Sequence, residues 1–473
     1  MFIYILDDDS LLNIFSFCRP GLIDMDETDP DSLLILRGGH WARELWWYKL
    51  ANVCRRWRYL ILGSGLHLNL RLRCTYGTPV ADMLAHSPPL PLIIDCLDEH
   101  HEITADEEAG LILALQQRDR VRRIRLRMPL PNLPRFIMAL ENEFPALEYL
   151  YLSSPTKPNT GFALPRTFQA PRLRHLVLGG FAFLIRSPLL TPAAGLVTLS
   201  LTRIHPSTYF RPSDLLQRLT LMPHLETLRL TFHSPVPNRD VAIHLFNNPI
   251  TVHVTLLNLR WFAFLGASTY LEALLPRMTT PSLEKIQIWF FLQLNYSIPN
   301  VLQFMGAPGN FRVSKATFEF NDTGVIVRMY CHESAMASTL YVHVLCRHLD
   351  WQVSSMAQIF NTLTPTLSEV ERLSLDYVAH SLSDEEHNKV ERTQWRELLR
   401  PFGNVKILQV AYELVKDISG SLQPGDGEPP IELLPELKEL RYSTRGDTGN
   451  AFKAFINARK NEDHPITITV DDR

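Results

Sequence analysis

The residues best suited to chemistry are two cysteine–histidine pairs, Cys331-His332 and Cys346-x-His348. Thiolate and imidazole are zinc ligands, and two strands could bring four such groups into a tetrahedron. The spacing is not that of a known zinc finger. Each cysteine also ends an apolar stretch, where a buried free thiol is the common occupant. His100-His101 lies beside Asp98 and Glu99 in a polar turn, which reads as surface. Cys54 could be a nucleophile, but no histidine stands at helical spacing from it, so a structural role is expected. The chain has no G-x-x-x-x-G-K-S/T loop, no G-x-G-x-x-G after a strand and no G-x-S-x-G elbow. The expectation is a non-enzyme with no catalytic residue, no metal and no cofactor.

The bulk numbers narrow the class. At 473 residues, 46% of them apolar, the chain is globular and long enough for several domains or a repeat array. A formal net charge of −3 argues against a nucleic-acid or anionic-membrane binder driven by bulk electrostatics. Six cysteines without regular spacing fit reduced thiols in the cytosol or nucleus. The opening MFIYILDDDSLL runs into acids at once and reads as no signal peptide, and no 18-residue apolar run predicts a membrane span.

Those elements that would position any site come from one phrase: apolar, two spacers, apolar, one spacer, apolar. It reads LEYLYL at 147–152, LRHLVL at 173–178, LVTLSL at 196–201 and LETLRL at 225–230. LEKIQI at 283–288, VERLSL at 370–375 and VKILQV at 405–410 continue it, with weaker copies at 121–126, 254–259 (VTLLNL) and 437–442. Steps between neighbouring copies are about 23 to 35 residues, with a longer gap between 288 and 370. The phrase ends in strand-like alternation, and the intervals carry helix-length apolar patterns such as Leu133, Phe136, Ile137, Leu140 and Phe144. A strand and helix alternating at this period predict an α/β fold: an irregular leucine-rich-repeat solenoid over 63–473, with parallel strands on the concave face and helices outside. Upstream, LHLNLRL at 66–72 and PLIIDC at 91–96 read as strands, and 105–119 as a helix with an acidic first turn. ATFEF, VIVRMYC and STLYVHVLC within 311–350 read as three strands in hairpins. The polar stretches 381–395 and 419–432 read as rim loops.

Two helices are predicted ahead of the repeats. Over 6–17, Asp8 or Asp9 can cap the first turn and Leu11, Leu12, Ile14 and Phe15 form the apolar side. An acidic insert at about 19–40 follows, holding Asp24, Asp26, Glu27, Asp29 and Asp31. Then WYKLANVCRRWRYLI at 47–61 places Leu50, Val53, Cys54, Trp57, Leu60 and Ile61 on one helical stripe, with Arg55, Arg56 and Arg58 elsewhere. These arginines could meet an acidic partner or pair with the acids of the first helix.

The run Leu50-Ala51-Asn52-Val53-Cys54-Arg55-Arg56-Trp57-Arg58, preceded by Leu6 to Phe15, resembles the F-box; Asp7 stands where that family usually has proline. The likeness covers residues 5–61. With the phrase that runs on to about residue 96, it is similar to the large F-box families of mushroom-forming fungi. The resemblance implies a domain at 1–62 that docks on a Skp-type adaptor of an SCF-type (cullin–RING) ubiquitin ligase, while the repeats capture a protein substrate. By position, the adaptor-facing residues would be Leu6, Leu11, Leu12, Ile14, Phe15, Leu50, Val53, Cys54 and Trp57. The alternative is a non-catalytic repeat scaffold whose first helices only cap the open end of the stack. Among strand spacers, Tyr149, Tyr151, Arg174, His175 and Arg229 are candidates for substrate contact. The spacer surface as a whole, which includes Glu148, is mixed in charge and points to no ligand class, and the rim loops could equally be the binding surface. No nucleic-acid or membrane partner is expected, and the location implied is cytoplasmic or nuclear.

Overall fold

A computed structural model describes residues 6–18, 46–65, 67–128, 131–154, 162–234, 250–296, 298–306, 313–330, 340–362, 367, 369–378, 390–423, 432–444 and 450–472. The acidic insert, Cys331 and His332 lie outside them. The protein is a mixed α/β fold dominated by parallel strands, in two compact units. The first comprises 1–208 and 221–227, the second 209–220 and 228–473. The N-terminal helices thus fall in the same unit as the first strands.

In the first unit, β1 (Leu72–Cys74), β2 (Leu92–Cys96), β3 (Val121–Arg127), β4 (Tyr149–Ser153), β5 (His175–Gly179) and β6 (Thr198–Ile204) pair in sequence order, all parallel. The register explains the phrase. Ile94, Ile124, Leu150, Leu176 and Leu199 are successive partners in one row, and Cys96, Leu126, Leu152, Leu178 and Leu201 in the next. Each is at most 2% exposed, so every added strand extends two continuous apolar ridges. Each buried leucine is worth roughly 1.5–3 kcal/mol relative to leaving it exposed.

A turn sets the start of each copy. The residue opening the phrase donates its N–H to the carbonyl three residues back: Leu147 to Phe144, Leu173 to Ala170, Leu196 to Ala193 and Leu225 to Met222, at 3.1–3.3 Å in these four except Leu196 at 3.0 Å. All four acceptor residues are buried. The chain is therefore already locked on the apolar side before the strand begins. Helices Val80–His86, Ala105–Gln116 and Leu133–Ala139 form the return segments of the early repeats. Thr104 caps the second of these in a capping box with Glu107. Between β5 and β6 the return shrinks to 3-10 turns at Pro188–Leu190 and Ala193–Gly195, where Pro188 and Pro192 disfavour a longer helix.

The second unit holds β7 (Thr227–Phe232), β8 (Val254–Thr255), β9 (Trp261–Gly266), β10 (Met278–Thr279), β11 (Lys285–Phe291), β12 (Lys315–Asn321), β13 (Gly324–Tyr330), β14 (Leu340–Leu345), β15 (Arg372–Val378), β16 (Ile407–Val410), β17 (Glu439–Thr444) and β18 (Thr467–Asp472). The order β9-β11-β14-β13-β12-β15-β16-β17-β18 contains the three expected strands of 311–350, and β13 runs antiparallel to both its neighbours. Asn321 makes the tight β12–β13 turn by accepting from the N–H groups of Thr323 and Gly324.

Several sequence expectations are corrected. LHLNLRL is not a strand up to Leu72: Asn69 takes a left-handed φ of 51°, and Leu68 and Leu70 donate back to Ser64 and Gly65 in turns. VTLLNL is misframed. Leu259 makes the phrase-opening turn onto Leu256, so the true copy is LRWFAF at 259–264, with β9 as its strand. Helix Arg392–Leu399 occupies part of the stretch read as a loop at 381–395, because Trp395, Leu398 and Leu399 bury one face. Helix Val415–Leu422 likewise enters 419–432, burying Ser421 and Leu422.

Candidate functional site

The N-terminal helices are built differently from the single stripe expected over 47–61. The chain forms two helices, Trp46–Ala51 and Arg55–Gly63, broken at Asn52-Val53-Cys54. Cys54 is fully extended (φ −158°, ψ 170°), and its Sγ accepts from the Trp57 N–H at 3.5 Å. Arg58 seals the break from the other side. Its Nε donates to the Ala51 carbonyl (3.1 Å) and its Nη2 to Asn52 Oδ1 (3.3 Å), setting a cation on a helix C-terminus. The first helix, Asp8–Phe17, is capped by Asp7 rather than by Asp8 or Asp9, its Oδ1 accepting from Ser10 N–H at 2.6 Å. Proline at that position could not supply such an acceptor.

Arg56 ties this helix down. It donates to the Leu6 carbonyl at 2.6 Å and to Asp8 at 2.7 Å, so part of the basic face pairs within the chain. Phe15 meets Trp57 edge-on, with ring centroids 4.8 Å apart. Of the nine adaptor candidates, Leu11 and Phe15 are buried. Leu6, Leu12, Leu50, Cys54 and Trp57 are half-buried, and Ile14 and Val53 are exposed. Phe17, Tyr48 and Tyr59 are also open to solvent, with Phe17 at 87% and Val53 at 58%. The periodic pattern missed these three because they fall off the stripe that closes the helix packing.

The second site is the strand face that carries the spacers. Its floor is mostly sealed by its own side chains. Tyr149 is only 5% exposed, with the Arg123 guanidinium 4.4 Å above its ring and His175 5.6 Å away. His175 Nδ1 lies 3.1 Å from Thr198 Oγ1. Tyr151 and His175 remain half-open. Arg174 is exposed but precedes β5, and Arg229 belongs to the second unit. The five substrate candidates therefore do not form one row.

Residues that the spacer reading overlooked dominate this face. Asp95, buried on β2, accepts from Arg73 of β1 and from Arg125 of β3, the Arg125 Nε at 3.0 Å. Burial would raise the Asp95 carboxyl, but the Arg125 and then the Arg73 guanidinium outweigh it and hold it below the usual range. Glu99 accepts from Arg127 Nε at 2.8 Å. The signal was present in the sequence as VRRIRLR at 121–127, whose alternate positions are arginines. On the same face of the second unit, Trp289 and Tyr341 pack at 5.2 Å, and burial pushes the nearby His343 down to about 4.

Among the described residues no group of three or more metal-ligating side chains gathers, and no helix is long and apolar enough to cross a membrane. Cys346 is buried, with its Sγ 3.7 Å from the His348 carbonyl.

No family model matches the chain and no curated protein matches it, so the F-box likeness rests on residues 5–61 themselves. Among solved structures the chain is similar to the leucine-rich repeat-containing protein LegL7 from Legionella pneumophila. The two are 11% identical, the match covers 83% of this chain and 98% of that one, and the TM-score is 0.27.

Proposed function

We propose that this chain is a substrate-recognition subunit of an SCF-type ubiquitin ligase. Its first helices bind a Skp-type adaptor, and its leucine-rich strands hold a protein target. The chain itself makes and breaks no bonds; it raises the effective concentration of the target near a charged conjugating enzyme. One observation supports this above all. Leu11, Phe15 and Ile61 are buried, yet Ile14 and Phe17 on the first helix and Val53 in the break face solvent. Aromatic and branched apolar side chains left open on short helices have the make-up of an interface.

The test is co-purification with a Skp-type adaptor. Trp57→Ala is a poor probe, because Trp57 packs on Phe15 and its loss would loosen the helices. Phe17→Asp with Val53→Asp alters only exposed positions. The expected result is adaptor capture by the wild type and its loss in the folded double variant. Failure of the wild type to capture any Skp-type adaptor would remove the reading.

The second reading is a plain repeat scaffold with an end cap. It is favoured by the placement of the helices in one compact unit with β1–β6. Under it, deletion of 1–62 gives an aggregating remainder, and no adaptor is ever recovered.

A further inference from the structure

We propose that the spacer face of β1–β6 binds an acidic peptide, a segment of a partner protein rich in Asp and Glu. This rests on the reading of the strands as the cargo-holding part. It names a ligand class that the spacer sequence did not give.

The argument starts from register. Arg127 on β3 pairs with Ser153 on β4, Ser153 with Gly179 on β5, and Gly179 with Thr202 on β6. Arg203 follows Thr202 and takes a left-handed φ of 51°, uncommon for a residue with a side chain. That turn sends its guanidinium back across β5. Nη2 donates to Ser153 Oγ at 3.1 Å and to the Ser154 carbonyl at 2.5 Å. With strands about 4.8 Å apart, the side chain spans roughly two strand spacings. Its guanidinium passes beside two glycines, Gly179 and Gly180. A Cβ at Gly179 would stand 3.4 Å from Nη2, and one at Gly180, itself at φ +74°, 3.5 Å from it.

The fold thus sets two guanidinium groups on either side of Ser153, one from β3 and one from β6. Burial and the charge of Arg127 both lower the Arg203 pKa. Across this face the strands carry Arg73, Arg123, Arg125, Arg127 and Arg203 against Asp95, and the segment after β2 adds Asp98 and Glu99. Five positive charges stand against three negative ones.

The carboxylates do more than offset charge. Asp95 orients two of the guanidinium groups and Glu99 a third. A ligand carboxylate therefore meets donors that are already placed, which lowers the entropy lost on binding. Guanidinium forks match carboxylates bidentately. Nucleic acid fits less well: the basic groups are confined to one patch and not spread along a stripe, and the chain as a whole carries −3.

The experiment uses the full chain and a fluorescein-labelled deca-glutamate peptide, read by anisotropy at 50 and 300 mM salt, with deca-lysine and a ten-nucleotide oligothymidylate as controls. Deca-glutamate should bind, more weakly at high salt, and deca-lysine should not. Arg127→Gln should weaken binding about tenfold, the loss of one charge-assisted contact. Glu99→Gln should tighten it several-fold, because the ligand no longer competes for Arg127. A purely structural pair would not give these opposite signs. The proposal is overturned if deca-glutamate does not bind, if both variants bind like the wild type, or if oligothymidylate binds as well as the peptide. Adaptor capture is scored separately on the same preparation. Capture without peptide binding removes only the acidic ligand, and peptide binding without capture removes only the ligase reading.

Discussion

Replacing Asp95 with alanine should open the β1–β3 edge of the first unit. Asp95 is 5% exposed and accepts from two guanidinium groups. Removing one partner of a fully buried ion pair typically costs about 3–5 kcal/mol, because the remaining charge is left uncompensated. Here the Arg125 side chain is 10% exposed and that of Arg73 25% exposed, so water can recover part of the loss at Arg73. The lower end of the range, about 3 kcal/mol, is therefore expected. That corresponds to about a hundredfold larger opening constant. Hydrogen exchange read by mass spectrometry, on peptides covering 72–74, 92–96 and 121–127, reports it locally and avoids assuming a single unfolding transition for a chain of two units. The triple variant Arg73→Met, Asp95→Leu, Arg125→Met should recover most of the protection, since a well-packed apolar set replaces a buried ion cluster at little cost. The pH dependence has a defined sign. The folded carboxyl lies below its ordinary value of 3.8, so its contribution is complete above that pH and is lost as pH falls through the lower folded value. Less than a fivefold change in exchange for Asp95→Ala, or a triple variant as labile as the single one, would refute the reasoning.

Two further outcomes follow from local geometry. Burial alone would raise the Glu107 carboxyl, but donors at Thr104, Gly77 and His101 outweigh it and hold it down at about 2. The Tm gap between wild type and Glu107→Gln, followed by circular dichroism, should be full above pH 4.5 and close as pH falls toward 2. Gly324→Ala would set a Cβ 2.3 Å from the Val344 carbonyl oxygen and 2.7 Å from His343 Nε2. Because the carbonyl belongs to the neighbouring strand, the clash should cost about 1–3 kcal/mol, seen as faster exchange in peptides covering 324–330 and 340–345.

The repeat was legible because one rule acts at every copy. Leucines at fixed spacing must share a face, and parallel stacking is what buries them, as the rows Ile94 to Leu199 and Cys96 to Leu201 do. The failures fall where a single backbone torsion or turn decides. Asn69 leaves the extended region and ends the alternation of LHLNLRL. The turn from Leu259 to Leu256 shifts the frame of one copy by five residues, a shift that the apolar pattern of VTLLNLRWFAF accommodates equally well. At the N-terminus the stripe of Leu50, Val53 and Trp57 looked like one helix because helical spacing continues across Asn52 to Cys54. The break there turns Val53 outward.

The sequence by itself determined that strands recur, which residues of each strand point to the core, and that two helical segments precede them, because periodicity alone dictates sidedness. Only the tertiary structure decided what lies on the other face. Arg73, Arg125 and Asp95 are brought together by strand register, and Arg127 and Arg203 by a left-handed turn over two glycines. Charge clusters formed across strands depend on register and on long side chains crossing it. The alternating arginines of VRRIRLR mark one strand of the cluster, but the partners they meet across strands are not written in that spacing.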